Sequence, residues 1–110
     1  MHRASRPAFI LFAIICFVRK AVADEVQMIG AGSIASCGTW LSDRQTVAYY
    51  GMSNWALGFL SGAAAYSGKL DPLNGLDANA VTYWLDNYCQ AHPTERFARA
   101  LTVFVREHPK

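Results

Sequence analysis

The side chains best suited to chemistry lie in residues 86–93, which read DNYCQAHP. Cys89 stands three residues before His92 and three residues after Asp86. A thiol, an imidazole and a carboxylate at helical spacing suit three different sites. They could form a nucleophile with its base, part of a metal site, or one end of a disulfide. The compartment of the protein and the helices that carry these residues decide among the three.

The start of the chain has the pattern of an export signal. A short basic stretch precedes an apolar run over residues 8–18, which is shorter than the roughly 20 residues that span a bilayer. Ala-Val-Ala at residues 21–23 is a typical cleavage site. We therefore predict a signal peptide over residues 1–23 and a periplasmic or secreted mature chain. Arg19 and Lys20 between the apolar run and this site leave a retained anchor as the alternative.

Removal of the signal changes the charge of the chain. Four of the 10 basic residues lie in the signal, so six basic residues remain against eight acidic ones, a net charge of −2. Such a chain has no basic stripe that could neutralise phosphates and little attraction to anionic lipid. We therefore expect no nucleic acid as partner and, after cleavage, no membrane.

The cysteine count favours the disulfide. Cys16 leaves with the signal, and Cys37 and Cys89 remain as an even number in a small exported domain. A closed metal site needs about four ligands, and an activated thiolate needs an exposed, electropositive site rather than an apolar helix face. We predict a disulfide between Cys37 and Cys89, with no metal, no cofactor and no catalytic residue. The metal and nucleophile alternatives remain open on the sequence alone.

The periodicity of the chain predicts one all-α domain of three main helices stapled by this disulfide. Residues 24–36 contain two glycines and two serines and are predicted to form a flexible or loosely docked lead-in. The helical domain is predicted over residues 37–110. No segment has the composition and alternation of a strand.

The first helix is predicted to begin at Ser42, which would form a capping box with Gln45. Its small residues form a stripe, for which we predict close approach of another backbone because glycines inside a helix need compensation. The members of the stripe are Gly51, Asn54, Gly58, Gly62 and Ala65.

The second and third helices follow the loop after residue 70. Asp77 is the predicted N-cap of the second helix, whose apolar face includes Leu85 and Cys89. Pro93 is predicted to end this helix and to start the next, with His92 near the N-cap of the third helix. The inward face predicted for the third helix consists of Phe97, Leu101, Phe104 and Val105.

Three tyrosines are candidates for an interaction surface. Most aromatic residues of a small domain are needed in its core. Tyr49, Tyr50 and Tyr83 fall outside the main inward stripes, and tyrosine is common among the residues that dominate binding energy. We predict these three as interface anchors.

Three segments resemble a known group of proteins. SCGTWL at residues 36–41, WALGFLSGA at 55–63 and WLDNYCQAHP at 84–93 resemble the Rap/Tai immunity proteins of type VI secretion. More distantly, the chain is similar to the acid-stress chaperone HdeA. The resemblance covers Cys37 to about residue 105 and implies that Cys37 and Cys89 are disulfide partners.

The resemblance implies a binding function rather than catalysis. It identifies the chain as an exported protein-binding module, an immunity-type inhibitor of a toxin, with a protein partner and no enzymatic activity. A homodimer is a further expectation for its assembly. The alternative is a periplasmic acid-stress or chaperone protein, which would switch by protonation of many carboxylates. Eight acidic residues are few for such a switch.

Overall fold

The computed structural model describes residues 26–67 and 71–108, where the chain forms four α-helices and no strand. The helices are α1 (Cys37–Asp43), α2 (Ala48–Ser67), α3 (Ala78–Ala91) and α4 (Phe97–Glu107). The all-α prediction is confirmed, whereas the prediction of three main helices is wrong because a separate short helix precedes α2. The predicted signal peptide and its cleavage site lie outside the described residues.

The first helix is short and its start is fixed by contacts from two sides. The hydroxyl of Ser36 accepts a hydrogen bond from the backbone N–H of Thr39 at 3.1 Å. The N–H groups of Cys37 and Gly38 donate to carbonyl groups in residues 93–95, each at 2.8 Å. All three free N–H groups of the first turn are thereby satisfied, which stabilises a helix of only seven residues.

The predicted start of the first long helix at Ser42 is wrong. Ser42 lies inside α1, and its hydroxyl donates to a carbonyl of the same helix at 3.1 Å. Thr46 instead marks the start of α2, because its hydroxyl oxygen accepts the N–H of Ala48 at 3.2 Å. The same hydroxyl donates to the carbonyl of Asp43 and links the end of α1 to the start of α2.

The core lies where all four helices meet. α1 packs on α3, and α4 packs between α2 and α3. Asp77 caps α3 as predicted, since its carboxylate accepts the N–H of Ala80 at 2.9 Å. The predicted inward faces of α3 and α4 are largely confirmed, with Val105 only half-buried. The largest buried side chains are Trp40, Phe97, Phe104, Leu60, Leu85, Leu101 and Val81.

The predicted role of the small-residue stripe on α2 is wrong. A methyl group placed on Gly58 or Gly62 would find no atom within 4 Å in the described part of the chain. The stripe is exposed because α2 buries Met52, Ala56 and Leu60 on its other side. Within residues 26–67 and 71–108, no backbone approaches these two glycines closely.

The described part of the predicted lead-in, residues 26–36, contacts α2 and α4. The indole N–H of Trp55 donates to the carbonyl of Ile29 at 2.8 Å. Gly30 has a φ of 120°, which favours glycine, and Gly32 is buried against the ring of Trp55. The segment therefore wraps this tryptophan before the chain enters α1.

The link between α3 and α4 also differs from the prediction. His92 ends α3 as its C-cap instead of starting α4, whose N-cap is Arg96. Pro93 lies in the loop between the two, and its carbonyl supports α1. Across residues 26–67 and 71–108, no helix is both long enough and apolar enough to cross a membrane.

Candidate functional site

The structure places Cys89 in a disulfide. Cys89 is bonded to Cys37, with the two Cα atoms 4.8 Å apart and both residues fully buried. The predicted pairing is confirmed, and it joins α1 to α3 near the centre of the core. Since both thiols are consumed in this bond, neither is a nucleophile or a metal ligand in this structure.

Asp86 faces α1 and not the histidine. Its carboxylate accepts the indole N–H of Trp40 at 2.8 Å and two bonds from the guanidinium of Arg44, at 2.9 Å and 3.0 Å. This two-pronged ion pair raises the pKa of Arg44. The side chains of Cys89 and Asp86 therefore have separate partners and do not form one site with His92.

His92 is exposed at the end of α3. Its ring stacks on Tyr88 at 4.2 Å, and its Nδ1 lies 2.9 Å from the carbonyl oxygen of Tyr88. A carbonyl only accepts, so Nδ1 carries the proton of this bond. Among the described residues, no group of three cysteine, histidine or carboxylate side chains is placed to hold a metal ion.

A groove between α3 and α4 is the strongest candidate site. It has a volume of about 350 Å³, and its walls are mainly apolar and aromatic. We name it the α3–α4 groove. Its described lining residues are Leu76, Ala80, Tyr83, Trp84, Asn87, Tyr88, Phe104, Glu107 and His108.

The aromatic rings of the α3–α4 groove hold one another in place. Trp84 stacks on Tyr88 with ring centroids 5.1 Å apart and meets Phe104 edge-on at the same distance. The ring of His108 stacks on Phe104 at 4.0 Å. Phe104 is fully buried, so it anchors this set of rings to the core. The groove is therefore formed before any ligand arrives.

Tyr88 is fixed at the inner side of the groove by its hydroxyl. This hydroxyl donates to a carboxylate oxygen of Glu95 at 2.6 Å. Partial burial, reinforced by this hydrogen bond, raises the pKa of Tyr88 to about 12. The carboxylate of Glu95 also lies 3.7 Å from the guanidinium of Arg99, four residues further along the chain. Tyr88 thus remains a neutral, oriented ring.

The three predicted interface tyrosines are divided between two places. Tyr83 is 71 % exposed and lines the α3–α4 groove. Tyr50 is 68 % exposed on α2, and its ring contacts that of Tyr49 at 5.6 Å. Tyr49 itself is half-buried, with the guanidinium of Arg44 4.7 Å from its ring.

Tyr49 is thus partly a packing residue. A hydrogen bond with the hydroxyl of Thr82 lowers its pKa, and Thr82 directly precedes Tyr83 on α3. Tyr49 on α2 therefore reaches α3 at the residue next to Tyr83, and neighbouring residues of a helix project from different sides of it.

Sequence reasoning missed the wall that α4 contributes to the groove. The sequence predicts Phe104 only as a core residue, and His108 is not among the predicted site residues. The available signal was the spacing, because Trp84 and Tyr88 are four residues apart, as are Phe104 and His108. Two such aromatic pairs on neighbouring helices can form facing walls.

Comparison with protein-family models, curated proteins and solved structures finds no match for this chain. The likeness of its cysteine-containing segments to immunity proteins is therefore a resemblance alone. The chemistry of the α3–α4 groove is the ground on which a function can be proposed.

Proposed function

We propose that the mature chain is an exported protein-binding module that contacts its partner through the α3–α4 groove. The observation that carries this proposal is the exposed Tyr83 at the edge of a preformed aromatic groove. Exposed tyrosine and tryptophan next to a pocket are typical of residues that dominate binding energy. A volume of about 350 Å³ accommodates one or two side chains of a partner.

The placement of the polar residues supports binding rather than catalysis. Cys89 is in a disulfide, Asp86 is paired with Arg44, and His92 caps α3. A general base must be within hydrogen-bond reach of the group it activates. None of these three side chains has a described partner that it could activate.

The resemblance to immunity proteins suggests what the binding achieves. An immunity protein acts by covering the site of a toxin, so it needs a rigid and complementary surface. A typical interface of this kind buries about 1,600 Å² in total. The α3–α4 groove would supply its centre, and the exposed Tyr50 on the neighbouring side of the domain would extend it.

The disulfide supports export. Bonds of this kind form and persist in oxidising compartments and are rare in the cytosol. The Cys37–Cys89 bond is fully buried and joins two helices, which is typical of a structural bond. A periplasmic or secreted location is accordingly part of the proposal.

The proposal is tested by site-specific photo-cross-linking in the native host. A photoreactive phenylalanine analogue replaces Tyr83 in one variant and Tyr66 in the control. Tyr66 is 94 % exposed near the end of α2 and does not line the groove. We expect one defined protein adduct from position 83 and none from position 66, with the partner identified by mass spectrometry.

Two results would count against the proposal. Equal adducts from both positions would indicate non-specific contact, and no adduct from position 83 would indicate that the groove does not face a partner. An identified partner with toxin activity, neutralised by the purified chain, would support the immunity-type form. A partner without toxin activity would support a protein-binding module and contradict the immunity-type function.

A further inference from the structure

We propose that α2 carries a surface for self-association, through which two copies of the chain pack with their α2 helices crossing at Gly58. The surface is a row of exposed residues spaced four apart, which we name the α2 row. Residues with this spacing lie along one line of a helix, and such lines pack against a neighbouring helix. The members of the α2 row are Tyr50, Asn54, Gly58, Gly62 and Tyr66.

The contacts of a single chain do not explain the glycines of this row. Gly58 and Gly62 lie inside a helix, where glycine is destabilising relative to alanine because it loses more backbone freedom on folding. A methyl group at either position would meet no atom within 4 Å in the described part of the chain, and neither residue has a positive φ. What glycine provides at such a position is room for the backbone of another molecule.

The composition of α2 also favours a covered surface. Its 20 residues contain no aspartate, glutamate, lysine, arginine or histidine. The outward face of a helix that stays in water is ordinarily rich in charged and polar side chains, whereas charged residues are depleted at the centre of protein interfaces. The α2 row instead ends in two highly exposed tyrosines, Tyr50 and Tyr66. The outward face of α2 thus has the composition of an interface.

The order of side chains along the α2 row selects a second copy as the occupant. In either direction from Gly58, a small residue follows after four positions and a tyrosine after eight. A two-fold axis between antiparallel helices brings the same patch of both copies together with the chain direction reversed. A row that has the same order in both directions therefore fits itself, with the small residues in contact where the helices cross at about 50°.

The size of the α2 row predicts a weak dimer. The row is about 24 Å long, and two helices that cross over this length bury less than the roughly 1,200 Å² at which stable interfaces begin. We expect a dissociation constant on the order of 100 μM. At low micromolar concentration the chain is then a monomer, in which Tyr66 is free to serve as a control residue.

The inference does not rest on the proposed function. The α2 row and the α3–α4 groove share no residue among those described. Both surfaces could therefore be used by one chain. Only Tyr50, which would extend the interface around the groove, would be covered by a second copy, so the dimer and a bound partner would compete there.

The inference is tested by sedimentation equilibrium of the purified protein with its disulfide intact, from about 5 μM to about 500 μM. The backbone N–H signals of Gly58 and Gly62 are followed over the same range by nuclear magnetic resonance. We expect a monomer at the lowest concentration and mainly dimer at the highest. Both glycine signals should shift with concentration, whereas the indole N–H signal of Trp84 in the α3–α4 groove should not.

Substitution at the crossing point locates the contact. Gly58→Leu should weaken the dimer at least about tenfold, because the added side chain keeps the two helices apart. It should leave the monomer folded, as circular dichroism will show, since the space beside Gly58 is open among the described residues. Gln90→Leu is the matched control, because it adds the same side chain at an exposed position of α3 and should leave the dimer unchanged.

Three results would overturn the inference. The first is a chain that stays monomeric at the highest concentration. The second is a dimer whose dissociation constant is the same for the unchanged protein and for Gly58→Leu, since the α2 helices would then not cross at this residue. The third is a shift of the Trp84 signal with concentration while the glycine signals stay constant, which would place the second copy in the α3–α4 groove.

Discussion

Removal of the Asp86 carboxylate should weaken the packing of α1 on α3. This carboxylate accepts three hydrogen bonds, from the indole of Trp40 and from two nitrogens of Arg44. Trp40 is 1 % exposed, so its N–H cannot exchange the lost partner for water. We therefore expect Asp86→Ala to destabilise the folded protein more than its position on the surface of α3 suggests.

The magnitude follows from the three bonds. A buried donor left without a partner costs about 1–3 kcal/mol. The ion pair with Arg44 adds about 1 kcal/mol at most, because both side chains are about one quarter exposed. Together these give a loss of about 1–4 kcal/mol for Asp86→Ala. Asp86→Asn keeps an acceptor for Trp40 and should lose only about 1 kcal/mol.

Urea unfolding with the disulfide intact measures these losses. A double-mutant cycle with Arg44→Gln isolates the ion pair, for which we expect a coupling of about 1 kcal/mol. Asp43→Ala is the control, since no hydrogen bond to its carboxylate is described. A loss of less than about 0.5 kcal/mol for Asp86→Ala would refute the role assigned to this carboxylate.

Four further measurements test other parts of the account. Replacement of both cysteines by alanine removes a cross-link between positions 52 residues apart. It should lower the free energy of unfolding by about 4 kcal/mol. A loss below about 1 kcal/mol would contradict a stabilising role for the bond. The raised pKa of Tyr88 means that its contribution to stability is complete below pH 10 and is lost as the pH rises towards about 12. Ultraviolet titration should show one tyrosine that ionises at higher pH than the others, and Glu95→Gln should lower the pH at which it ionises. Ionisation of all tyrosines over the same pH range would be the opposing result. Gly32→Ala places a methyl group less than 3.0 Å from the ring of Trp55, so the ring or residues 26–36 must move. This movement should lower the free energy of unfolding in urea by about 1–3 kcal/mol. An unchanged urea midpoint would show that residues 26–36 are loosely held. Finally, fluorescence of a hydrophobic dye should stay flat between neutral and acid pH, and a strong rise would favour the acid-stress alternative.

The features that the sequence predicted correctly depend on local pattern or on cysteine parity. Asp77 caps α3 because a short acidic side chain precedes a run of helix-forming residues. The buried positions Leu85 and Cys89 follow from helical period within one segment. The disulfide partner of Cys89 follows from the cysteine count, since only Cys37 remains once the predicted signal is left out.

The features that the sequence could not predict depend on contacts between distant residues. The seven residues of α1 are held by carbonyl groups more than 50 positions away, so no local pattern marks the start of that helix. Asp86 is paired with Arg44 across 42 positions, whereas the nucleophile alternative had placed it beside His92. Chain order alone gives no information on such pairs.

The α3–α4 groove also could not be predicted from the sequence, for a specific reason. Periodicity marks Trp84 and Phe104 as inward residues, and both do contact other rings. Whether such rings are covered or open to solvent depends on the angle and separation of α3 and α4. The sequence therefore predicted exposed tyrosines on α3 and α2 without predicting the cavity beside one of them.

The most direct measurement is calorimetry, in which the partner identified by cross-linking is titrated into the purified protein and two variants. If the α3–α4 groove is the binding site, Tyr83→Ala should weaken binding at least about tenfold, as expected for a residue that dominates an interface. Tyr66→Ala, which changes a more exposed tyrosine outside the groove, should leave the affinity unchanged. Equal affinities for all three proteins would contradict the account, because the partner would then bind elsewhere on the domain.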